Sequence, residues 1–509
     1  MTTYDPLIYG KNPLERIVSI EPKDEFAEVF LQQEDGTVKS EFIKNRYWIL
    51  SNKRLDSKFI QLKGDQHYKY GKQFSLRDDY ERDRGMYKYR NDIYAIYEPR
   101  ESLMVKDGVS YFKGLNVNDL TLLSFDLETT SLDPMTKEAK ILLISNTYKF
   151  KDKVIKRLFA YDEYETQGEM IKDWCKFIRD LDPSILLGHN IYGFDFKYLK
   201  GIADKEGIQL ELGRDGSPAI FDQYESKFRK EASQFIHYNK IRVYGREIID
   251  TLFLSLKHDQ ASRKYESYGL KQIIKQEGLE KEDRVFYDAN LIRHNYLNKE
   301  EWKKIKDYCR DDADDSLKLF ELMIPPYFYM TQSVPKSFSE MLLSASGSQI
   351  NSMMVRAYLQ QGHSIAKASE AEDYVGAISF GVPGRYKNLL KIDFSSLYPS
   401  IMRQYKVHDN KKDINGYFLK MTEYFAIERL KNKKLFKETN IATYDYLQSS
   451  QKIFSNSMYG ALGAPGLNYN SPKSAAFITE TGRELLKFSI KWATGKDYEY
   501  WKQKFDENT

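Results

Sequence analysis

Cysteine is almost absent from this 509-residue chain: there are only two, Cys175 and Cys309. Two cysteines build no disulfide framework, and their separation is no metal-ligand spacing, which suits a reducing compartment. No run of about 18 apolar residues appears, so no hydrophobic membrane span is expected. The opening "MTTYDPLIYGKNPLERI" lacks the basic-then-apolar order of a secretion signal. The expected location is therefore the cytoplasm. A surplus of one charge is missing too, since 78 basic residues face 74 acidic ones for a net charge of +4. Bulk charge thus marks no partner, although clustered charges still can. Internal repeats and low-complexity segments are also lacking.

What is present is an ordinary globular balance, 41% hydrophobic and 30% charged, in a chain long enough for several domains. Aromatics make up 14%, with 39 tyrosines and 29 phenylalanines. Most belong in cores, and stacking on bases is the minority reading for any single ring. Residues 1–115 read as mixed strands and polar loops. Within them "KGDQHYKYGKQFSLRDDYERDRGMYKYR" has no clean period and is expected to be a solvated, irregular face.

From residue 120 the pattern sharpens. In "LTLLSFDLETTSL", Ser124, Asp126 and Glu128 alternate with Leu123, Phe125 and Leu127, the period of a strand with two unlike faces. "AKILLISNTY" and "VIKRLFAYD" continue an antiparallel meander. Met170, Ile171, Trp174, Phe177, Ile178 and Leu181 fall at helical spacing, and "SILLGHN" reads as a buried strand. Three strands, a helix and a fourth strand make an α/β layer. "NKEEWKKIKDYCRDDADDSLKLFELM" is a helix capped by Asn298. The glycine-rich "YVGAISFGVPGRYKN" marks a seam. Residues 411–465 read as two helices with a turn near 439–443, "SPKSAAFITETGRELLKFSIKWA" as another helix, and "KQKFDENT" as a frayed tail.

Two sets of residues carry chemistry. Asp126 and Glu128 project from one face of a strand within reach of one cation, although an exposed acidic face is the commoner explanation for D-x-E alone. Asp195 follows a buried strand in "GHNIYGFDFKYL", and Tyr308 and Asp312 lie four apart on one helical face. Phosphodiester hydrolysis with two hard cations needs several oxygen ligands and an oriented water, which these residues could supply. Asp311 falls about 100° round the helix from Asp312, and both Asp311 and Asp315 are expected to be solvated.

The order D-x-E, N-x4-D, Y-x3-D resembles the three motifs of the proofreading 3′–5′ exonucleases, which have a ribonuclease-H-like fold. The resemblance implies Asp126, Glu128, Asp195 and Asp312 as metal ligands and Tyr308 as the residue orienting water. Asn190 and Phe194 match positions that flank the second motif and contact DNA. "DFSSLYPSI" resembles motif A of family B DNA polymerases. By that likeness Asp393 binds catalytic Mg2+ (or Mn2+), and Phe394, Ser395, Ser396 and Leu397 cradle the triphosphate. Tyr398 lies under the sugar as a steric gate. "KIFSNSMYG" resembles motif B, with Lys452, Asn456 and Tyr459 at i, i+4 and i+7 on one stripe. Arg429 and Lys433, with Lys437 as a weaker member, match the other triphosphate-contacting helix; residues 426–438 hold five basic and two acidic side chains. A lysine-rich helix is usually just solvated. "YVGAISFGVPGRY" resembles the linker between exonuclease and polymerase modules, with Tyr374 and Gly376 as DNA contacts and Ala377 replacing a glycine. "GREIID" resembles the family's G-R-x3-D segment, with Asp250 as a structural residue.

The expected architecture is therefore α/β multidomain: a ribonuclease-H-like 3′–5′ exonuclease domain followed by a partial family B polymerase palm and helical fingers. The expected units are an N-terminal domain at 1–115, the exonuclease at 116–335 and a helical connector at 336–372. Palm with motif A follows at 373–410, fingers at 411–465, and partial palm at 466–509. One family motif is missing: no D-T-D occurs, so the aspartate that faces Asp393 across the metals has no counterpart. A split gene, whose second chain supplies that motif and a thumb, is preferred over a truncated piece. Short fingers point to a compact, virus-like member, which would work in the cytoplasm of its host. Implied partners are primer-template and single-stranded DNA, dNTPs, the complementing chain and a sliding clamp. Rival readings are a stand-alone exonuclease with polymerase remnants and a non-catalytic DNA-binding scaffold.

Overall fold

The computed structural model describes residues 4–87, 92–230, 234–260, 262–379, 381 and 384–507. Its centre is a five-stranded sheet in the order Lys153–Ala160, Ile141–Phe150, Leu122–Thr129, Ile185–Gly188, Glu247–Asp250. The first three strands form the antiparallel meander, and the last two run parallel to Leu122–Thr129. Alternation along Leu122–Thr129 has the expected consequence. Leu123, Phe125 and Leu127 enter a core with the helix Gln167–Leu181, where Phe125 meets Trp174 edge to face at 5.3 Å. The opposite face, carrying Asp126 and Glu128, is covered by the helix Lys299–Met323. Asn298 caps that helix by accepting from the backbone N–H groups of Glu300 and Glu301.

A three-stranded and a four-stranded sheet form much of the N-terminal region. Residues 63–87 differ from the solvated face expected of them. They include the strand Tyr70–Phe74 and the helix Arg77–Tyr87, locked by Lys72, whose buried ammonium pairs with Asp56 at 2.7 Å and with Asp83. Lys72 also lies over the Phe74 ring at 5.1 Å. A charge paired inside an aromatic pocket breaks the simple apolar period, so the pattern is hidden from sequence. Residues 88–90 of the same stretch lie outside the described residues.

Beyond the sheet, the helices Tyr417–Thr439 and Ala442–Gly463 are the two expected, joined by a turn at 440–441. Phe425 stacks on Phe454 at 4.4 Å, and Asn432 bonds Gln451 across the pair. Their apolar faces join one core with the helix Ser346–Leu359 and the N-terminal strands. The helix Pro472–Thr494 follows, and the expected frayed tail is instead a helix, Tyr498–Asp506; residues 508–509 lie outside the described residues. Residues 388–394, leading into motif A, are exposed and lie in no helix or strand. Unpaired backbone N–H and C=O groups turn to water when no neighbouring strand takes them.

Candidate active site

Asp126 and Glu128 stand near the end of the strand Leu122–Thr129, where the pairing register shifts between Glu128 and Thr129. Such a break re-aims side chains at a sheet's end. Asp195 opens the helix Asp195–Lys205 and is buried, its Oδ1 accepting from the Leu127 N–H at 3.1 Å. That bond ties the second motif to the first. Asp312 comes from the helix Lys299–Met323, also buried. Asp126 and Glu128 feel the charge of the other acids. The Asp126 carboxyl is raised far above its usual range by burial and by Asp195, Asp312 and Glu128. Burial and Asp312 push Glu128 up to about 8. Asp195 rises to about 7, chiefly by burial, and Asp312 is raised by burial against the pull of Lys271 and Arg284. Carboxylates crowded this way repel until protons or cations join them. All-oxygen donors of this charge fit a hard divalent cation such as Mg2+ or Mn2+.

Tyr308 lies one helical turn before Asp312 and is buried. The Lys271 ammonium bonds its hydroxyl and sits 4.2 Å from its ring centroid. Sequence reading missed Lys271, since it lies in a short helix, Leu270–Gln276, with no motif around it. It also missed Arg284. That guanidinium, 2% exposed, pairs with Asp312 at 2.7 Å and with Asp315. Asp311 and Asp315, expected to be solvated, are 8% and 1% exposed. Asp311 accepts from the Val285 N–H at 2.9 Å, and Asp315 also pairs with Lys318 at 3.2 Å. The loop carrying Arg284 folds over the helix face that geometry alone would leave to water. Cys309, fully buried, puts its Sγ within 4.8 Å of ligand atoms of both Asp126 and Glu128.

At the rim, Asn190 is exposed and adopts a left-handed φ of 64°, and Phe194 is half-buried with its ring 5.5 Å from Tyr198. Asp250 holds this turn: its carboxylate accepts from the N–H groups of Asn190 at 2.8 Å, Tyr192 at 3.0 Å and Leu252 at 2.9 Å. It is thus a cap rather than a member of the acidic set. Behind it, His189 faces the Tyr268 carbonyl at 2.9 Å and the Thr251 hydroxyl at 3.0 Å, and burial lowers its pKa to about 4.

The second set assembles around the start of the helix Leu397–Gln404. Ser396 takes a left-handed φ of 55°, and the Arg429 guanidinium donates to its hydroxyl at 2.6 Å. A serine in that conformation costs about 1 kcal/mol, which the Arg429 contact helps offset. Tyr398 lies 4.6 Å from the Tyr459 ring and packs on Gly482, where a Cβ would approach within 3.0 Å. Tyr374 joins the pair through the Tyr459 hydroxyl. Arg483 donates to the carbonyls of Val375 and Gly376, each at 2.7 Å, clamping the linker to the helix Pro472–Thr494. Phe380, Val382 and Pro383 of that linker lie outside the described residues. Lys452, Asn456 and Lys433 are exposed on their helices, while Asp393, Phe394 and Ser395 are exposed and Leu397 half-buried. The structure therefore gathers Ser396, Leu397, Tyr398, Arg429, Tyr459 and Tyr374, and leaves Asp393 exposed on the segment that precedes them.

Residues 91–273 match the profile described as DNA polymerase family B, exonuclease domain, and residues 406–507 match DNA polymerase family B. Tyr308, Asp312 and Asp393 lie between the two matched spans. A DNA polymerase of Thermococcus gorgonarius is 26% identical over 410 residues, covering 73% of this chain and 51% of the relative. One of Archaeoglobus fulgidus is 24% identical over 402 residues, covering 74% of this chain and 48% of the relative. The chain spans about half the length of the curated relatives it matches. The family B DNA polymerase structure from Pyrobaculum calidifontis superposes with a TM-score of 0.73 over 93% of this chain and 71% of that one, at 17% identity.

Proposed function

The chain belongs to DNA polymerase family B and carries its exonuclease domain, and from that premise we propose that it removes nucleotides from DNA 3′ ends. The observation that supports this is that Asp195 and Asp312 lie close enough to Asp126 and Glu128 to raise both of their carboxyls. These four would hold two Mg2+ ions, which supply a polarised phosphate and an activated water. Tyr308, its hydroxyl fixed by Lys271, orients the water; Asn190 and Phe194 seat the strand's last nucleotides at the rim. Purified chain with Mg2+ should shorten a 5′-labelled single strand, and Asp126→Ala should stop it. Undiminished shortening by the variant would overturn the assignment.

For synthesis, we assign the triphosphate to Ser396, Leu397, Arg429, Lys433 and Lys452, the sugar to Tyr398, and the base pair to Asn456 and Tyr459. Asp393 would share cations with a carboxylate that this sequence does not contain. Support comes from the segment before it, where Leu389, Leu390 and Ile392 are 79%, 84% and 52% exposed. An exposed apolar segment outside any sheet is suited to pair with a strand of another chain. Primer-template DNA and dNTPs are the proposed substrates, a second polypeptide bearing the missing motif the proposed partner. Primer extension should stay absent until that polypeptide is added. Among the described residues no helix is long and apolar enough to cross a membrane.

A further inference from the structure

A cavity of about 320 Å³ opens where three parts of the fold meet. Leu120 and Leu122 line it from the entry to the strand Leu122–Thr129, and Phe320 and Ile324 from the end of the helix Lys299–Met323. Tyr446 completes the apolar wall from the helix Ala442–Gly463. That wall is fixed from behind. Gln32 donates to the Asp119 carbonyl, and the Ser184 N–H donates to the Thr121 hydroxyl at 2.8 Å. A pocket whose walls are held by the protein itself is of the preformed kind that small molecules enter. Among the described residues, neither the four acids of the first set nor Ser396, Tyr398 or Arg429 lines it. Neither centre therefore accounts for it.

The rim is polar and balanced in charge. Lys149 pairs there with Glu321, and Lys151 donates to the Glu34 carbonyl at 2.7 Å. Asn118 and Asp152 also line it; both are exposed, and neither side chain bonds another group among the described residues. A phosphate would meet two carboxylates and two lysines whose ammonium groups are already engaged, so the rim does not favour an anion. An amide that both donates and accepts, beside a carboxylate, suits a flat ring with hydrogen-bonding groups along one edge. The tyrosine ring and the aliphatic wall suit its faces. Those demands together describe a nucleobase, and the volume leaves room for its sugar. We propose that this cavity binds a free, uncharged nucleoside, with its base against Tyr446 and its polar edge towards Asn118 and Asp152. A nucleoside seated there touches the helix that carries Tyr308 and Asp312 and the helix that carries Lys452 and Asn456.

The test uses 2-aminopurine riboside, a fluorescent nucleoside, on the full chain without DNA or metal. Its anisotropy should rise to saturation at one nucleoside per chain. Adenosine should displace it, and adenosine triphosphate should do so about tenfold less well or worse. Tyr446→Leu should weaken binding about tenfold. Asn118 is exposed, so Asn118→Trp should keep the parent's circular dichroism while its ring fills the rim and abolishes binding. Tyr398→Ala should leave binding intact, since that ring belongs to the synthesis centre. No saturable binding in the parent, binding that survives Asn118→Trp, binding lost in Tyr398→Ala, or better displacement by the triphosphate than by adenosine would each overturn the site.

Discussion

A carboxylate buried among others is costly until a cation or proton sits with it. At the scale of single residues this makes the acidic set a stability element as well as a reactive one. Glu128 titrates at about 8 in the fold against an ordinary 4.5. The folded chain thus holds a proton that the unfolded chain releases, and stability falls as pH rises from about 4.5 to 8. Mg2+ replaces that proton, so it should raise the unfolding temperature by about 2 °C or more, and more at pH 8 than at pH 5. Differential scanning calorimetry at the two pH values reads this directly. His189 works with the opposite sign. Its folded pKa of about 4 lies below the ordinary 6.5, so it contributes stability at neutral pH that is lost as pH falls through 6.5 towards 4. The ring keeps some solvent contact, which holds the loss to about 2 kcal/mol. In His189→Gln, urea unfolding midpoints should change less over that pH interval than in the parent. Tyr308→Phe should slow 3′-end removal about 10²-fold while Mg2+ still stabilises the fold.

At the scale of elements, the helix Lys299–Met323 and the loop carrying Arg284 form one unit. Arg284 is 2% exposed between Asp312 and Asp315. Arg284→Met removes the cation and leaves two buried acids, which should cost about 3 to 5 kcal/mol in chemical denaturation. A loss under about 1 kcal/mol would mean that water already reaches the pair. The same unit shows what sequence discloses. Asp126 and Glu128 were legible because a strand's period of two puts them on one face, and Tyr308 and Asp312 because a helix turns in 3.6 residues. Asp311 and Asp315 were misplaced because their partners, Val285 and Arg284, come from a loop more than twenty positions away. Helical geometry gives a side chain's direction, not what another segment lays over it. The segment before Asp393 shows the converse. Its residues suit a strand, but a strand exists only with a neighbour to pair with.

At the scale of the molecule, one apolar core runs from the N-terminal strands through the helix Lys299–Met323 to the paired helices Tyr417–Thr439 and Ala442–Gly463. The acidic set and the Tyr398 cluster therefore sit on a common scaffold. Order along the chain made this arrangement readable: motifs spread over more than three hundred positions, from Asp126 to Gly460, stand in the order expected of the family. The lysine-centred pocket of Lys72 and the contacts of Lys271 stayed hidden, because each needs partners that no local period announces. If the exposed apolar segment receives a strand, Leu390→Asp should abolish rescue of primer extension by an added polypeptide without altering 3′-end removal. The most direct measurement counts Mn2+ by electron paramagnetic resonance, on chain bound to a single strand with a cleavage-resistant 3′ linkage. A spin-coupled pair of ions, lost when Asp126 and Asp195 are both changed to Asn, is the result predicted here. Absence of the pair, or its survival in that double variant, would contradict the convergence of the four acids on a two-cation centre.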